Sequence, residues 1–363
     1  MKNSVGGQAV IEGVMMKNKN RVALSVRRED GTIEIRKSEF HPLKEKHKWA
    51  NIPILRGIFG FVESMILSFK TLGDSTEMLG LEDEPPKKEK KKKKEKTPEE
   101  KARAEKRLTA VIMVISLILG LGLALFLFSV LPSFVAQLFG NLTGVYNKYA
   151  LACVEGVVKI LIFIVYILLV SFMKDIKRTF QYHGAEHKSI ACYESGLELT
   201  PENARKCTRF HPRCGTSFMF VMILLGVFVG MFIPFWSEQL YLRIILKVAL
   251  LPVIMGVGYE FIMLAGKHNN VFTRILSAPG LWMQRITTKE PDDYQLAVAI
   301  CSIKATMPEE FPDFTPDEYF ITREQNKGHI GYTAPKKTEE QASEEKPAED
   351  EGEKQENNSS ENE

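Results

Sequence analysis

The sequence predicts a mainly α membrane protein: four transmembrane helices with a small N-terminal β-rich cytosolic unit and interfacial helices. Three observations carry that prediction. Four stretches are apolar over the roughly 20 residues needed to cross a bilayer. Charge is gathered in blocks too polar to bury a core. The N-terminal residues alternate apolar and polar side chains, as strands do.

Residues 1–50 form the β-rich cytosolic head. The stretch RVALSVRREDGTIEIRKSEF alternates on both sides of REDG. Val22, Leu24 and Val26 share one face, and Ile33 and Ile35 are expected to face them from a return strand, as in a hairpin. Before it, GGQAVIEGVMM holds Gly6, Gly7 and Gly13 but no Lys-Ser/Thr follows, which argues against a phosphate-cradling loop. A tight turn or a close backbone approach is the expected use of those glycines. The opening MKNSVGGQAVIEG has no apolar core of signal-peptide length, so no cleaved leader is expected.

Residues 51–81 are apolar but interrupted by Arg56, Glu63 and Lys70, the pattern of an interfacial or re-entrant helix. Residues 82–107 are a lysine-rich charged linker that solubilises and helps to set topology. Its lysines also lie in reach of anionic headgroups, each worth about 1 kcal/mol.

Residues 108–266 form the four-helix membrane domain, with spans expected near 108–130, 151–173, 217–236 and 240–265. Pro234 and Pro252 are tolerated where neighbours satisfy the freed carbonyls. Lys and Arg crowd the loop 174–215 and the approach to the first span, while the turns after the first and third spans carry few. Positive residues stay inside, which places loop 174–215 and both termini in the cytosol. Within the spans, Glu155 and Lys159 are four apart and expected to pair. Glu260 is costly there unless paired or near the interface.

Residues 267–333 read as a cytosolic membrane-proximal segment. Phe272, Ile275, Leu276, Leu281 and Trp282 mix with Arg274 and Arg285, as in a segment lying at the interface. Asp292 and Asp293 then open a helix over YQLAVAICSIKAT. Residues 334–363 are a disordered acidic tail.

A net charge of +3 segregated in this way points to a membrane protein with solvated tails and away from nucleic-acid binding. The five cysteines are too widely spread for a disulfide framework. Cys192, Cys207 and Cys214 fall in the cytosolic loop, where thiols stay reduced and free to act as ligands or core.

The chemistry concentrates in that loop. In YHGAEHKSIACYE, His183 and His187 are four apart and share a helix face, so their nitrogens can converge on one ion. H-x-x-E-H is the reversed zinc-protease motif, which casts Glu186 as the general base that activates water. His211 and Cys214, in FHPRCGTSF, are the further ligand candidates. Either one with the two histidines leaves a catalytic site with an open position, whereas both close a structural site. The ion expected is zinc or another divalent transition metal, since imidazole also suits iron, nickel and copper. The competing reading is a polar collar in which His183 caps a helix, Glu186 pairs with Lys188 or an arginine, and Cys214 packs against the third span. His268 is a weaker ligand candidate, and His41 and His47 read as surface residues.

Four stretches, GGQAVIEGVMM, YHGAEHKSIACYE, HPRCGTSF and APGLWMQRITTKEP, together resemble the bacterial YqhQ-like membrane protein family over nearly all of residues 1–310. The resemblance implies a bacterial plasma-membrane location and a multi-pass protein, sometimes described as a predicted metal-dependent enzyme. The expected function is a metal-dependent hydrolase with its site at the cytosolic face, acting on a peptide or lipid-linked substrate. The alternative is a non-enzymatic scaffold or assembly factor, and the third is a transporter in which Glu260 would serve. Expected partners are the lipid bilayer, a membrane protein or peptide, and a second copy of the chain.

Overall fold

The computed structural model of the protein describes residues 5–28, 30–80, 111, 115–116, 118–212, 214–232, 239–267 and 271–315. The expected linker at 82–107, the tail at 334–363 and His268 lie outside them.

The head is an antiparallel meander of four strands, β1 (Val5–Val10), β2 (Gly13–Asn18), β3 (Arg21–Arg27) and β4 (Ile33–Glu39), in sequence order. The β3–β4 hairpin is present, but its register corrects the expected facing. Ile33 pairs with Arg27 and Ile35 with Ser25, so both isoleucines lie on the face opposite Val22, Leu24 and Val26. The alternation misled because this sheet has no water-facing side. Met15, Val22, Leu24 and Val26 pack against Leu67 and Met78 of α2 (Leu55–Met78), which follows a short helical turn, α1 (Leu43–Lys46). The other face, with Val14 and Met16, packs against a helix from the far end of the described chain, α10 (Asp293–Thr306). Even the polar members of that face are covered: Ser25 is fully buried, and Arg27 stacks 4.4 Å over the Tyr294 ring and donates to the carbonyls of Tyr294 and Gly31.

The acidic start expected for α10 is a capping box: Asp292 accepts from the Gln295 amide at 2.8 Å, and the Gln295 side chain accepts from Asp292 N–H at 3.0 Å. All of its residues except Lys304 are buried. Leu296, Ile300 and Ile303 are fully buried, each contributing roughly 1.5–3 kcal/mol by leaving water.

Three helices are long and apolar enough to cross a membrane among the described residues: α3 (Ile118–Thr143), α4 (Lys148–Ser171) and α8 (Leu240–Lys267), the last through its stretch Ile244–Phe261. The expected third span appears as a shorter apolar helix, α7 (Gly215–Gly230). Its 16 residues reach about 24 Å, short of a hydrocarbon core of about 30 Å. Residues 233–236 of that expected span lie outside the description. The first span ends later than expected. It runs past position 130 through a π-helical turn, Phe126–Val130, just ahead of Pro132, where the chain lacks an N–H to donate.

Tertiary contacts also revise the intramembrane charges. Glu155 bonds Lys247 of α8, across the helices, where Lys159 of its own helix was the expected partner. Glu260 is held by Arg56 of α2, whose Nε donates to Oε1 at 2.6 Å. Gly57 and Gly256 let α2 and α8 touch: a Cβ on Gly57 would come within 3.0 Å of Gly256 Cα, and one on Gly256 within 2.7 Å of Ile54 O. Thus α2 joins the sheet to the last apolar helix, while Val62, Met65, Ile66 and Phe69 on its other side stay exposed.

Three further helices build the site between head and membrane helices: α5 (Lys174–Glu194), α6 (Pro201–Lys206) and α9 (Val271–Thr287).

Candidate metal centre

Helix α5 follows α4 after a break at Phe172–Met173, and it carries the histidine motif. Four residues apart, His183 and His187 stand on one face with ring centroids 4.5 Å apart. Each ring is oriented by a backbone carbonyl. His183 Nδ1 meets Thr287 O at 2.9 Å, and His187 Nδ1 meets Arg209 O at 2.5 Å. A carbonyl oxygen only accepts, so both Nδ1 atoms carry the proton and, in the neutral rings, both Nε2 atoms keep a lone pair. This is the outer hydrogen bonding that metal-bound histidines use.

Cys214 completes the cluster. Its Sγ lies 3.2 Å from His183 Nε2, and one ligand atom from each of His183, His187 and Cys214 lies within 4.8 Å of the others. Ligand lengths of 2.0–2.3 Å around a tetrahedral zinc place neighbouring donors roughly 3.3–3.6 Å apart, so the cluster needs only small side-chain adjustments. Cys214 is also the N-cap of α7, its sulfur accepting from Thr216 N–H at 3.4 Å.

His211 stands apart from this trio. Its ring centroid is 5.7 Å from that of His187, and its Nε2 faces Glu194 at 3.7 Å. Its backbone is clamped by Gln284, which is fully buried. The Gln284 Oε1 accepts from His211 N–H at 2.9 Å, and its Nε2 donates to His211 O at 2.7 Å and to Ser217 Oγ at 2.9 Å. The four expected ligands therefore divide into three that converge and one that does not.

Glu186 is buried between α5 and β1, where the Gly7 amide donates to it. Burial pushes its carboxyl up to about 7, with His183 and the Gly7 amide pulling the other way. The alternative pairing with Lys188 is not formed. Lys188 donates instead to Arg205 O at 2.8 Å and meets Glu290 at 3.0 Å.

Several residues outside the ligand candidates hold this geometry, and of these the sequence had singled out Gly7, for a tight turn or a close backbone approach. Gly184 lets α5 lie against the backbone near 289, where a Cβ would come 2.0 Å from Lys289 O. Gly7 likewise admits Glu186, whose Oε1 lies 3.0 Å from where a Cβ would stand. In the β1–β2 turn, Glu12 pairs with Arg178 and accepts from Tyr182 O–H at 3.1 Å. Thr287 and Gln284 serve through a carbonyl and an amide, groups no ligand motif singles out. The available signal was the set of four stretches that carry the family resemblance. All four meet here: GGQAVIEG through Gly7 and Glu12, HGAEH, HPRCG through His211 and Cys214, and MQRITTKE through Gln284, Thr287 and Glu290.

Residues 52–309 match the family model described as "Protein of unknown function (DUF1385)". The chain is 37% identical over 308 residues to "Uncharacterized protein YqhQ" of Bacillus subtilis (strain 168), covering 81% of this chain and 89% of that protein. No solved structure matches it. The chain belongs to the DUF1385 family.

Proposed function

We propose that this member of the DUF1385 family is an integral protein of the bacterial plasma membrane that holds one zinc, or another divalent transition metal, at the cytosolic face and uses it in hydrolysis. One observation carries the reading: two Nε2 lone pairs and one thiol converge while His211 stays outside the group. Three protein ligands with an open fourth position is the pattern of catalytic zinc, whereas a fourth protein ligand makes a structural site.

A divalent ion held there supplies Lewis acidity toward water and toward a carbonyl or phosphoryl oxygen. The remaining work belongs to the chain. His183 and His187 bind through Nε2, and the carbonyls of Thr287 and Arg209 keep both rings aimed. Cys214 binds as thiolate. Glu186, dry between α5 and β1 and with its carboxyl at about 7, sits in the range suited to taking and returning a proton near neutral pH. The lysine-rich linker and loop favour a cytosolic orientation of this face. A site beside apolar helices suits a peptide leaving the bilayer or a lipid-linked substrate.

The test has two steps. Purified full-length protein from zinc-replete cells should carry one metal ion per chain by inductively coupled plasma mass spectrometry, and His187→Ala should carry none. Glu186→Gln should then keep its metal but fail to complement cells lacking the protein. Metal-free wild-type protein removes the reading. Full complementation by Glu186→Gln with metal retained replaces hydrolysis by the scaffold or assembly-factor role.

A further inference from the structure

Three charged side chains gather among the apolar helices, away from the metal centre. Glu155 and Lys159 come from α4, and Lys247 comes from α8. All three line one small cavity, which Gly226 and Gly230 of α7 border from a third side. Gly226 is about 18 Å along α7 from Cys214, so the charged cluster and the metal centre are separate.

The charges of the cluster do not cancel. Glu155 and Lys247 are almost fully buried and form an ion pair, and Lys247 Nζ also donates to Ser133 Oγ of α3 at 3.3 Å. Lys247 thus takes the carboxylate that spacing along α4 offers to Lys159. Among the described residues, Lys159 has neither a hydrogen bond nor an ion pair. Two ammonium groups and one carboxylate line the cavity, so the ionised cluster holds one positive charge in excess.

That charge has no route to water. Lys159 lies near the middle of α4 (Lys148–Ser171), about 17 Å from either end, and a four-carbon stem does not reach the membrane surface from there. A charge in a spanning segment is costly unless paired, and such residues mark ion and substrate sites. The size of the cavity then selects the ligand. Its volume is about 10 Å³, roughly that of one water-sized sphere. A carboxylate or a phosphate is too large, whereas a monatomic anion needs only small movements of two flexible lysine stems.

We propose that Lys159 and Lys247 bind a single halide ion, chloride in the cell, between α4, α7 and α8, with Glu155 holding Lys247 in place.

The full chain, purified in detergent and chloride-free gluconate buffer, is titrated with sodium chloride at constant ionic strength while its melting temperature is followed. A ligand bound only by the folded protein raises that temperature as its concentration grows. A saturable rise is expected with chloride and with bromide, and none with the larger sulfate. Lys159→Met keeps a long stem and removes the unpaired charge. It should melt no lower than the parent in gluconate and need about ten-fold or more chloride for the same rise. Glu155→Gln removes the competing negative charge and should shift the titration to lower chloride. A parent protein whose melting temperature is indifferent to chloride overturns the proposal. So does a Lys159→Met protein that responds as the parent does, because the ion then sits elsewhere. Equal rises with sulfate overturn it too, since they report a general effect of salt. Metal content should be the same in both variants as in the parent, so the result stands or falls apart from the metal centre.

Discussion

Gly184→Ala tests whether the backbone around the histidines holds the site. Gly184 lies between the two imidazoles in sequence, and α5 there presses on the segment that follows α9. A methyl carbon at 184 would stand 2.0 Å from Lys289 O, while ordinary contact begins at 3.4 Å, so the segment must withdraw by about 1.4 Å. That withdrawal strains the Lys289 N–H bond to Phe180 O, now 2.8 Å, and reaches Thr287 two residues upstream. The bond from His183 Nδ1 to Thr287 O is 2.9 Å, so the same displacement along it would exceed 4 Å and break it. Loss of such an outer partner should weaken metal binding about 10–100-fold. The overpacking itself should cost about 1–3 kcal/mol of stability. Competition for zinc against a chromophoric chelator reads the first effect, and thermal unfolding of the detergent-solubilised protein reads the second. Gly215→Ala is the control, since a Cβ there meets nothing within 4 Å although Cys214 is its neighbour. A Gly184→Ala protein with affinity within about two-fold of the parent and the same melting temperature would refute the reasoning.

Three other outcomes are expected. Cys214→Ala should lose its metal while His211→Ala keeps one ion per chain, measured by metal analysis, because only the former side chain joins the converging group. In chelator-treated protein, the raised carboxyl of Glu186 favours the folded state fully below about 4.5, and that contribution is lost as pH rises through about 7. Glu186→Gln should therefore flatten the dependence of melting temperature on pH between those values. Arg27→Ala should destabilise the fold by about 3 kcal/mol in denaturant titration, since it removes a fully enclosed side chain and leaves the carbonyls of Gly31 and Tyr294 without its donors.

Part of the cluster was legible because its two imidazoles obey a local rule. His183 and His187 are four apart, and a helix necessarily puts such a pair on one face. Cys214 was legible only as one of two candidates, because its distance from His183 depends on how α7 packs and not on spacing. Spacing could not show, for the same reason, that Gln284, far along the chain, clamps the His211 backbone with its ring toward Glu194. The sheet shows the complementary failure. Alternation in β3 correctly located a strand, but the assumption of one wet face put Ile33 and Ile35 on the wrong side.

Sequence alone determined the properties that depend on neighbours along the chain: the apolar runs of the long helices, the capped start of α10, and the paired imidazoles of α5. Only the tertiary structure decided what depends on groups hundreds of residues apart. It set α10 against the N-terminal sheet, gave Glu155 to Lys247 and Glu260 to Arg56, and brought the carbonyl of Thr287 to His183. The division has a physical cause. Periodicity and capping follow from backbone geometry repeated every few residues, whereas a hydrogen bond or ion pair between distant segments exists only after packing has placed them within about 3 Å.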